Sequence, residues 1–203
     1  MLKFVIAACA LALAAGCAGT SAPPMRFYVV TALEPPAAAA AAAPAPGPGV
    51  VVAGVRLPQY LERPQLVTRS GGNQLQLEEF HQWGGNLRKD LTRVLAENLS
   101  RLLGSDAVVA APHTLRLRPD YRVEVEVLRF ERAEDARVHL TAKWWLLRGA
   151  DNAPLAGPTS ALASEPLPAS ASFELTVAAM SSVYGELSRA IAQAIAQHAQ
   201  AAR

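Results

Sequence analysis

Two stretches of the chain space their apolar residues every third or fourth position, as amphipathic helices do. The first spans residues 87–103, where Asn86 suits the N-cap and Gly104 suits the C-terminal cap. The second runs from about Phe173 to Ala199. The pattern predicts two long helices, each with one face to bury. The first stripe comprises Leu87, Leu91, Val94, Leu95, Leu99 and Leu102, and the second comprises Val177, Met180, Tyr184, Leu187, Ile191 and Ile195.

Alternation of apolar and polar residues predicts two long strands in the middle of the chain. In YRVEVEVLRFE, which begins at Tyr121, valines alternate with charged residues. The phase shifts at Val127–Leu128, as a β-bulge would produce, so that Leu128 and Phe130 continue the apolar side. Residues 137–148 alternate likewise after a short connection, which predicts an antiparallel hairpin. Shorter strands are expected at residues 26–32, 50–57, 65–69, 74–79 and 159–164.

These elements predict an α+β fold in a single domain. A mainly antiparallel or mixed sheet would have both amphipathic helices packed on one face. The 19 basic and 17 acidic residues are interspersed along the chain, which argues against a nucleic-acid-binding protein.

The first residues predict a signal peptide. An apolar run from Phe4 to Ala15 follows Lys3 and is shorter than the roughly 20 residues of a membrane span. The sequence LAAGC resembles the bacterial lipobox, with Cys17 as the lipidated residue. Cleavage at Cys9, after IAA, would leave only about five apolar residues ahead of the site. We therefore expect lipidation at Cys17.

The domain boundaries follow from that cleavage site. Residues 1–16 would form the lipoprotein signal peptide, residues 17–25 the lipidated N-terminus and tether, and residues 26–203 a periplasmic domain. Cys9 and Cys17 are the only cysteines, so the mature chain would have no other thiol and no disulfide. Within the domain, the Ala/Pro-rich segment 35–49 is expected to be an exposed loop, with an ordered partner-binding segment as the alternative.

The remaining residues do not form a recognisable catalytic set. No nucleophile elbow, phosphate-binding loop, dinucleotide-binding pattern or zinc-protease motif occurs in the sequence. The histidines fall on separate elements without the spacing of metal ligands. We therefore expect a protein that is not an enzyme and has no metal and no cofactor. The four histidines are His81, His113, His139 and His198.

Residues suited to partner docking are concentrated in PQYLERPQLVTRSGG, residues 58–72. Pro58 and Pro64 would hold the segment between them in a rigid, irregular conformation that presents Tyr60. The alternative is an internal corner whose side chains pack on the sheet and whose Arg63 pairs with a carboxylate. Trp144 and Trp145 point to opposite faces of their strand, so at most one belongs to the main core. The docking candidates are Tyr60, Leu61, Arg63, Arg69, Trp83 and Trp145.

The sequence resembles the PqiC/YmbA-type lipoproteins, auxiliary components of ABC-type transport systems. The resemblance rests on the lipobox, the first strand FYVV, the segment LPQYLERPQLVTR, Trp83, the helix LTRVLAENLSRLLG, the strand YRVEVEVLRFE and the last helix LSRAIAQAIAQ. Two features depart from the family. Gly84-Gly85 follows the tryptophan where a better helix start is usual, and the Ala/Pro loop is longer.

The resemblance implies a non-enzymatic lipoprotein, acylated at Cys17 with chains such as palmitate, in the outer membrane of a Gram-negative bacterium. Ala18 after that cysteine also favours the outer membrane. The implied partner is a PqiB-like MCE-domain transport protein, in a system for lipid transport or membrane integrity, and homo-oligomers are compatible with it. The alternative is an assembly or activator lipoprotein for a secretion channel or a cell-wall synthase.

Overall fold

A computed structural model describes residues 23–34, 47–112 and 118–201 of the chain. The predictions for the signal peptide, for Cys9 and Cys17, for most of loop 35–49 and for His113 lie outside these residues. None of the helices in the described ranges is both long enough and apolar enough to cross a membrane.

The described residues form nine strands, one short 3-10 helix and two long helices. In chain order the elements are β1 (Arg26–Tyr28), β2 (Val50–Arg56), the 3-10 helix (Gln59–Leu61), β3 (Gln65–Arg69), β4 (Leu75–Trp83), α1 (Leu87–Leu103), β5 (Val108–Ala110), β6 (Tyr121–Arg132), β7 (Val138–Arg148), β8 (Pro154–Ala156), β9 (Thr159–Ala163) and α2 (Phe173–Ala201).

All nine strands belong to one mixed sheet that is built around the β6–β7 hairpin. These two strands pair antiparallel from Tyr121 opposite Arg148 to Arg132 opposite Val138, with a bulge between Val127 and Arg129. β2 lies parallel to the first half of β6. β3 pairs with the same edge of β6 at the last residue, Arg132. Beyond them come β5 next to β2, and β4 and then β1 next to β3. β8 and β9 line the other edge of β7.

Both long helices pack on one face of this sheet. α1 contacts β2 and β5, α2 contacts β6, β7 and β9, and the helices contact each other. The Tyr184 hydroxyl of α2 donates to the backbone oxygen of Leu91 in α1, and Asn98 donates to Ser188. The core between the layers includes Val52, Val55, Val123, Val125, Phe130, Leu140, Trp144 and Leu146 from the sheet, with Leu91, Leu95, Leu99, Tyr184, Leu187 and Ile191 from the helices.

The observed elements confirm the α+β fold class, with both helices on one face. α1 begins and ends at the expected residues, because Asn86 accepts a hydrogen bond from the Lys89 backbone and Gly104 adopts the left-handed conformation. The bulge in β6 is also confirmed. The expectation that Leu128 continues the apolar side was wrong: its side chain is 49% exposed, because it is the extra residue of the bulge, and only Phe130 returns to the core.

Candidate interaction surface

The sheet face opposite the helices, called here the open face, carries charged side chains and one tryptophan. Trp144 points to the core and is 3% exposed, so Trp145 points to the open face, where it lies opposite Glu124 on β6. Lys143 stands opposite Glu126 in the same way. No helix of the described chain covers this face. Lys143 is exposed, and Glu124, Glu126 and Trp145 are partly exposed.

Two cations flank the indole ring of Trp145. The Arg56 guanidinium lies 5.5 Å from the ring centroid, and the Lys143 ammonium lies 5.1 Å from it, both within the range of cation–π attraction. Gly157 lies beside the same ring, because a Cβ atom there would come within 3.2 Å of the indole Cδ1. The ring is therefore held by these neighbours and remains partly exposed. Arg56, Glu124, Glu126, Lys143 and Trp145 are called here the Trp145 patch.

A basic groove of about 760 Å³ adjoins the Trp145 patch between β2 and the start of α1. Each of its four arginines lies near a carboxylate. The ion pairs of Arg56 with Glu124 and Glu126, and of Arg88 with Glu62, are long, with nitrogen–oxygen distances of 3.9 Å. Exposed ion pairs of this kind contribute only about 0–1 kcal/mol each, so a ligand carboxylate can replace them. The ionisable side chains that line the groove are Arg56, Arg88, Lys89, Arg93, Arg122 and Glu124.

At the far end of β6, a buried carboxylate holds three segments of the chain together. Glu131 is 0% exposed although it lies on the open face. Its Oε2 accepts hydrogen bonds from the Tyr60 hydroxyl at 2.6 Å and from the Phe130 backbone at 3.1 Å. Its Oε1 accepts from the Nε atoms of Arg69 and Arg129, each at 2.8 Å. These residues are called here the Glu131 cluster, and they satisfy the carboxylate fully.

Local structure explains how these groups meet. The bulge at Leu128 restores the alternation so that Arg129 and Glu131 share the open face while Phe130 enters the core. Pro58 and Pro64 enclose the 3-10 helix at Gln59–Leu61, which turns the Tyr60 hydroxyl towards Glu131.

The hydrogen bonds in the Glu131 cluster shift the pKa values of its members. Burial alone would raise the pKa of Glu131, but the hydrogen bonds from Tyr60, Arg69 and Arg129 outweigh it and hold that pKa below its ordinary value. Burial, with the hydrogen bond to the carboxylate, raises the pKa of Tyr60 above its ordinary value. The hydrogen bond to Glu131 likewise raises the pKa of Arg69. The carboxylate is therefore ionised and the tyrosine is neutral at neutral pH.

The structure brings together only some of the residues proposed for docking. Tyr60 and Arg69 meet at Glu131, whereas Trp145 lies in the separate patch on β7. Leu61 and Trp83 belong to the core and are 2% and 5% exposed, so they offer almost no surface to a partner. Their proposed role in docking remains a prediction, and their buried side chains do not support it.

Arg63 is half-buried, and none of the described residues accepts a hydrogen bond from its Nε atom. The alternative of an internal corner correctly describes Leu61 and the packing of Tyr60 on the sheet. However, the arginine that binds the carboxylate is Arg69, not Arg63.

The residues predicted from the sequence did not include Glu131, Arg129, Arg56 or Lys143. The sequence signal that could have pointed to Glu131 was an acidic residue near the end of the long alternating strand, shortly after the phase shift. In the described part of the chain, no group of three or more histidine, cysteine, aspartate or glutamate residues could hold a metal ion. His81 instead accepts or donates a hydrogen bond with the Tyr28 hydroxyl, and His139 pairs with Asp135.

Comparison with known proteins identifies the family. The family model for the ABC-type transport auxiliary lipoprotein component matches residues 28–192. The chain belongs to this family. The resemblance to the PqiC/YmbA-type lipoproteins is therefore confirmed, and the match spans nearly the whole domain.

Solved structures share the fold of this auxiliary lipoprotein component. One is an uncharacterised protein with 19% sequence identity and a TM-score of 0.67, which aligns over 85% of this chain and 99% of its own. Another, the protein XCC0632 from Xanthomonas campestris, has 17% identity and a TM-score of 0.65 over 88% of this chain and 99% of its own. No curated protein matches the sequence.

Proposed function

We propose that this protein is a non-enzymatic auxiliary lipoprotein of an MCE/ABC-type system that transports lipids or maintains envelope integrity. It would be anchored in the outer membrane by acyl chains on Cys17, with its domain in the periplasm. Membership of the family of ABC-type transport auxiliary lipoprotein components supports the transport role. The lipobox and Ala18 support the anchor and its location.

The open face supports a docking role within that system. Both helices cover the other face of the nine-stranded sheet, so the open face carries accessible charges and a partly exposed tryptophan that two cations hold. Tryptophan and arginine are the side chains most often found at the energetic centre of protein interfaces. This single observation favours the Trp145 patch as the place where the MCE-domain protein binds.

The charge of the adjoining groove indicates the chemistry of the partner. Five basic side chains and one carboxylate line the groove. A partner segment that carries carboxylates would replace the long internal ion pairs of Arg56 and Arg88, and an apolar or aromatic residue would cover Trp145. We therefore expect the partner to present an acidic segment next to an apolar contact.

The Glu131 cluster supports a structural role for its residues in preference to a catalytic one. A general base must reach the proton that it abstracts, but the Glu131 carboxylate is buried and accepts four hydrogen bonds from the chain itself. Tyr60 and Arg69 would thus position the Pro58–Pro64 segment at the rim of the docking surface.

The test is a binding measurement in detergent between the MCE-domain protein of the same bacterium and three purified forms of the lipidated protein: the wild type and two variants. The wild-type protein should bind, and Trp145→Ala should weaken binding at least about tenfold, a difference of about 1.4 kcal/mol. Leu175→Ala, a change at an exposed apolar residue of α2, is the matched control and should bind as the wild type does.

Two results would overturn parts of the proposal. Wild-type protein that does not bind the MCE-domain protein, but does bind a secretion channel or a cell-wall synthase, would establish the alternative function. Equal binding by wild type and Trp145→Ala would keep the transport partner and remove the Trp145 patch as its docking site.

A further inference from the structure

Exposed apolar side chains are concentrated at one end of the sheet. Eight large apolar residues of the described chain are exposed, and five of them lie on or directly beside β1 and β4. Phe27 is the most exposed of all, at 65%. Exposed apolar side chains grouped on neighbouring strands mark a place of contact with a partner or a membrane. The five residues, called here the apolar wing, are Met25, Phe27, Val29, Leu77 and Phe80.

The strand register places the β1 part of the wing on the open face. Phe27 pairs with Gln82, whereas its neighbour Tyr28 pairs with Trp83, which belongs to the core. Phe27 therefore points away from the helices, and alternation places Met25 and Val29 on the same side. Val30, in the opposite phase, is buried in the core. β4 is irregular between Glu78 and Gln82, so alternation does not extend from Gln82 to Phe80 and Leu77, which belong to the wing by their exposure.

The wing is the first described part of the chain after the proposed lipid anchor. Met25 follows Cys17 by eight positions (25 − 17). A fully extended chain rises at most about 3.6 Å per residue, so the wing can lie no more than about 29 Å from an acylated Cys17. The anchor therefore keeps this end of the sheet near the bilayer surface, while the other elements are under no such constraint.

We infer that the apolar wing rests on the membrane surface itself, with Phe27, Met25 and Val29 inserted at the boundary between headgroups and acyl chains. This inference rests on the proposed acylation of Cys17. This contact would act together with the acyl chains on Cys17 and would fix the orientation of the domain relative to the bilayer.

This orientation leaves the Trp145 patch free for a partner. The sheet order from the wing to Trp145 runs through β1, β4, β3, β6 and β7. Neighbouring strands lie about 4.8 Å apart, so the four steps separate the wing from the patch by roughly 20 Å. The membrane and the MCE-domain protein would therefore contact different parts of the open face.

The test is a depth measurement on the full-length lipidated protein, reconstituted into phosphatidylethanolamine–phosphatidylglycerol vesicles. Because an acylated Cys17 has no free thiol, a nitroxide attached to Phe27→Cys would be the only label. We expect this label to be relaxed several-fold more by oxygen, which concentrates in the bilayer, than by a water-soluble nickel chelate. Val29→Cys should behave similarly. The matched control, Leu102→Cys in the last turn of α1, should show the opposite preference.

The outcomes separate this inference from the lipid anchor on which it rests. If Cys17 is not acylated, the protein without an added cysteine will itself accept the label and will not sediment with vesicles. If the protein sediments but labels at positions 27 and 29 favour the nickel chelate, the wing lies in water and the inference fails. Labels that neither reagent reaches would mean that a second copy of the chain covers the wing, which also overturns it.

Discussion

The hydroxyl group of Tyr60 lies 2.6 Å from Oε2 of Glu131, although 71 positions separate the two residues in the chain. This hydrogen bond fixes the proline-enclosed segment before β3 to the end of the longest strand. Arg69 and Arg129 complete the arrangement on the other carboxylate oxygen. The segment proposed from the sequence for partner docking is thus held as a corner of the sheet.

Replacing the buried carboxylate should destabilise the protein strongly. Glu131→Gln leaves the guanidinium groups of Arg69 and Arg129 opposite a neutral amide, and we expect the free energy of unfolding to fall by about 3 kcal/mol. Urea denaturation measures this loss. The control is Glu126→Gln, whose exposed side chain lies 3.9 Å from Arg56 and should cost less than about 1 kcal/mol. Equal losses in the two variants would contradict the structural role of the Glu131 cluster.

The same carboxylate should make stability depend on acid pH. The pKa of Glu131 is lowered in the folded state, so the unfolded chain binds more protons in the acid range. The stabilisation is complete above the unfolded pKa of about 4.3 and is lost as the pH falls through the lower folded pKa. Urea midpoints of wild type and Glu131→Gln should therefore converge as the pH falls from about 5 to about 3. A difference that stays constant over this range would refute the prediction.

Truncation of the two adjacent tryptophans should destabilise the protein to very different extents. Trp144 is buried and its indole N–H donates to Ser160 at 3.1 Å, so Trp144→Ala should cost about 3–5 kcal/mol of unfolding free energy. Trp145 lies on the open face, so Trp145→Ala should cost only about 1 kcal/mol, mainly from lost cation–π contacts. Guanidinium denaturation of the two variants measures the difference, and a reversed order would show that the strand faces are assigned wrongly.

Charge on the Trp145 patch should govern partner binding. Lys143→Glu places a carboxylate beside the basic groove, and we expect it to weaken binding of the MCE-domain protein about tenfold at low salt, or about 1.4 kcal/mol. The effect should shrink as ionic strength rises, because exposed charges are screened. Surface-plasmon resonance at two salt concentrations measures both effects. Arg189→Glu, on the exposed side of α2, is the control, and an equal loss there would indicate net charge alone.

The periodic elements were predictable from the sequence because burial on one side leaves a clear period. α1, α2 and the β6–β7 hairpin all have a stripe that must face the core, and their bounds follow from that stripe and from Asn86 and Gly104. The strands β5 and β8 were missed because three residues are too few to show a period. Their positions depend on pairing with the free edges of β2 and β7, which the sequence of the short strands does not indicate.

The candidate site was less predictable, because its chemistry depends on contacts between distant segments. Glu124 and Glu131 look alike in the sequence, since both alternate with apolar residues on the same strand. Only the arrival of Tyr60 and Arg69 from another segment buries one of them. Leu128 is the opposite case. It is an apolar residue in an alternating strand, and it is exposed because it is the extra residue of the bulge.

The bulge at Leu128 has a consequence for how this sequence tolerates insertions and deletions. Removing Leu128 would leave a regular strand in which Arg129 follows Val127 directly, so every later side chain would keep its side of the sheet. Keeping Leu128 in a strand without the bulge would instead exchange the sides of every residue after it, so that Glu131 would enter the layer between sheet and helices and Phe130 would face water. The bulge, and not the leucine side chain itself, thus decides on which side of the sheet the negative charge is placed.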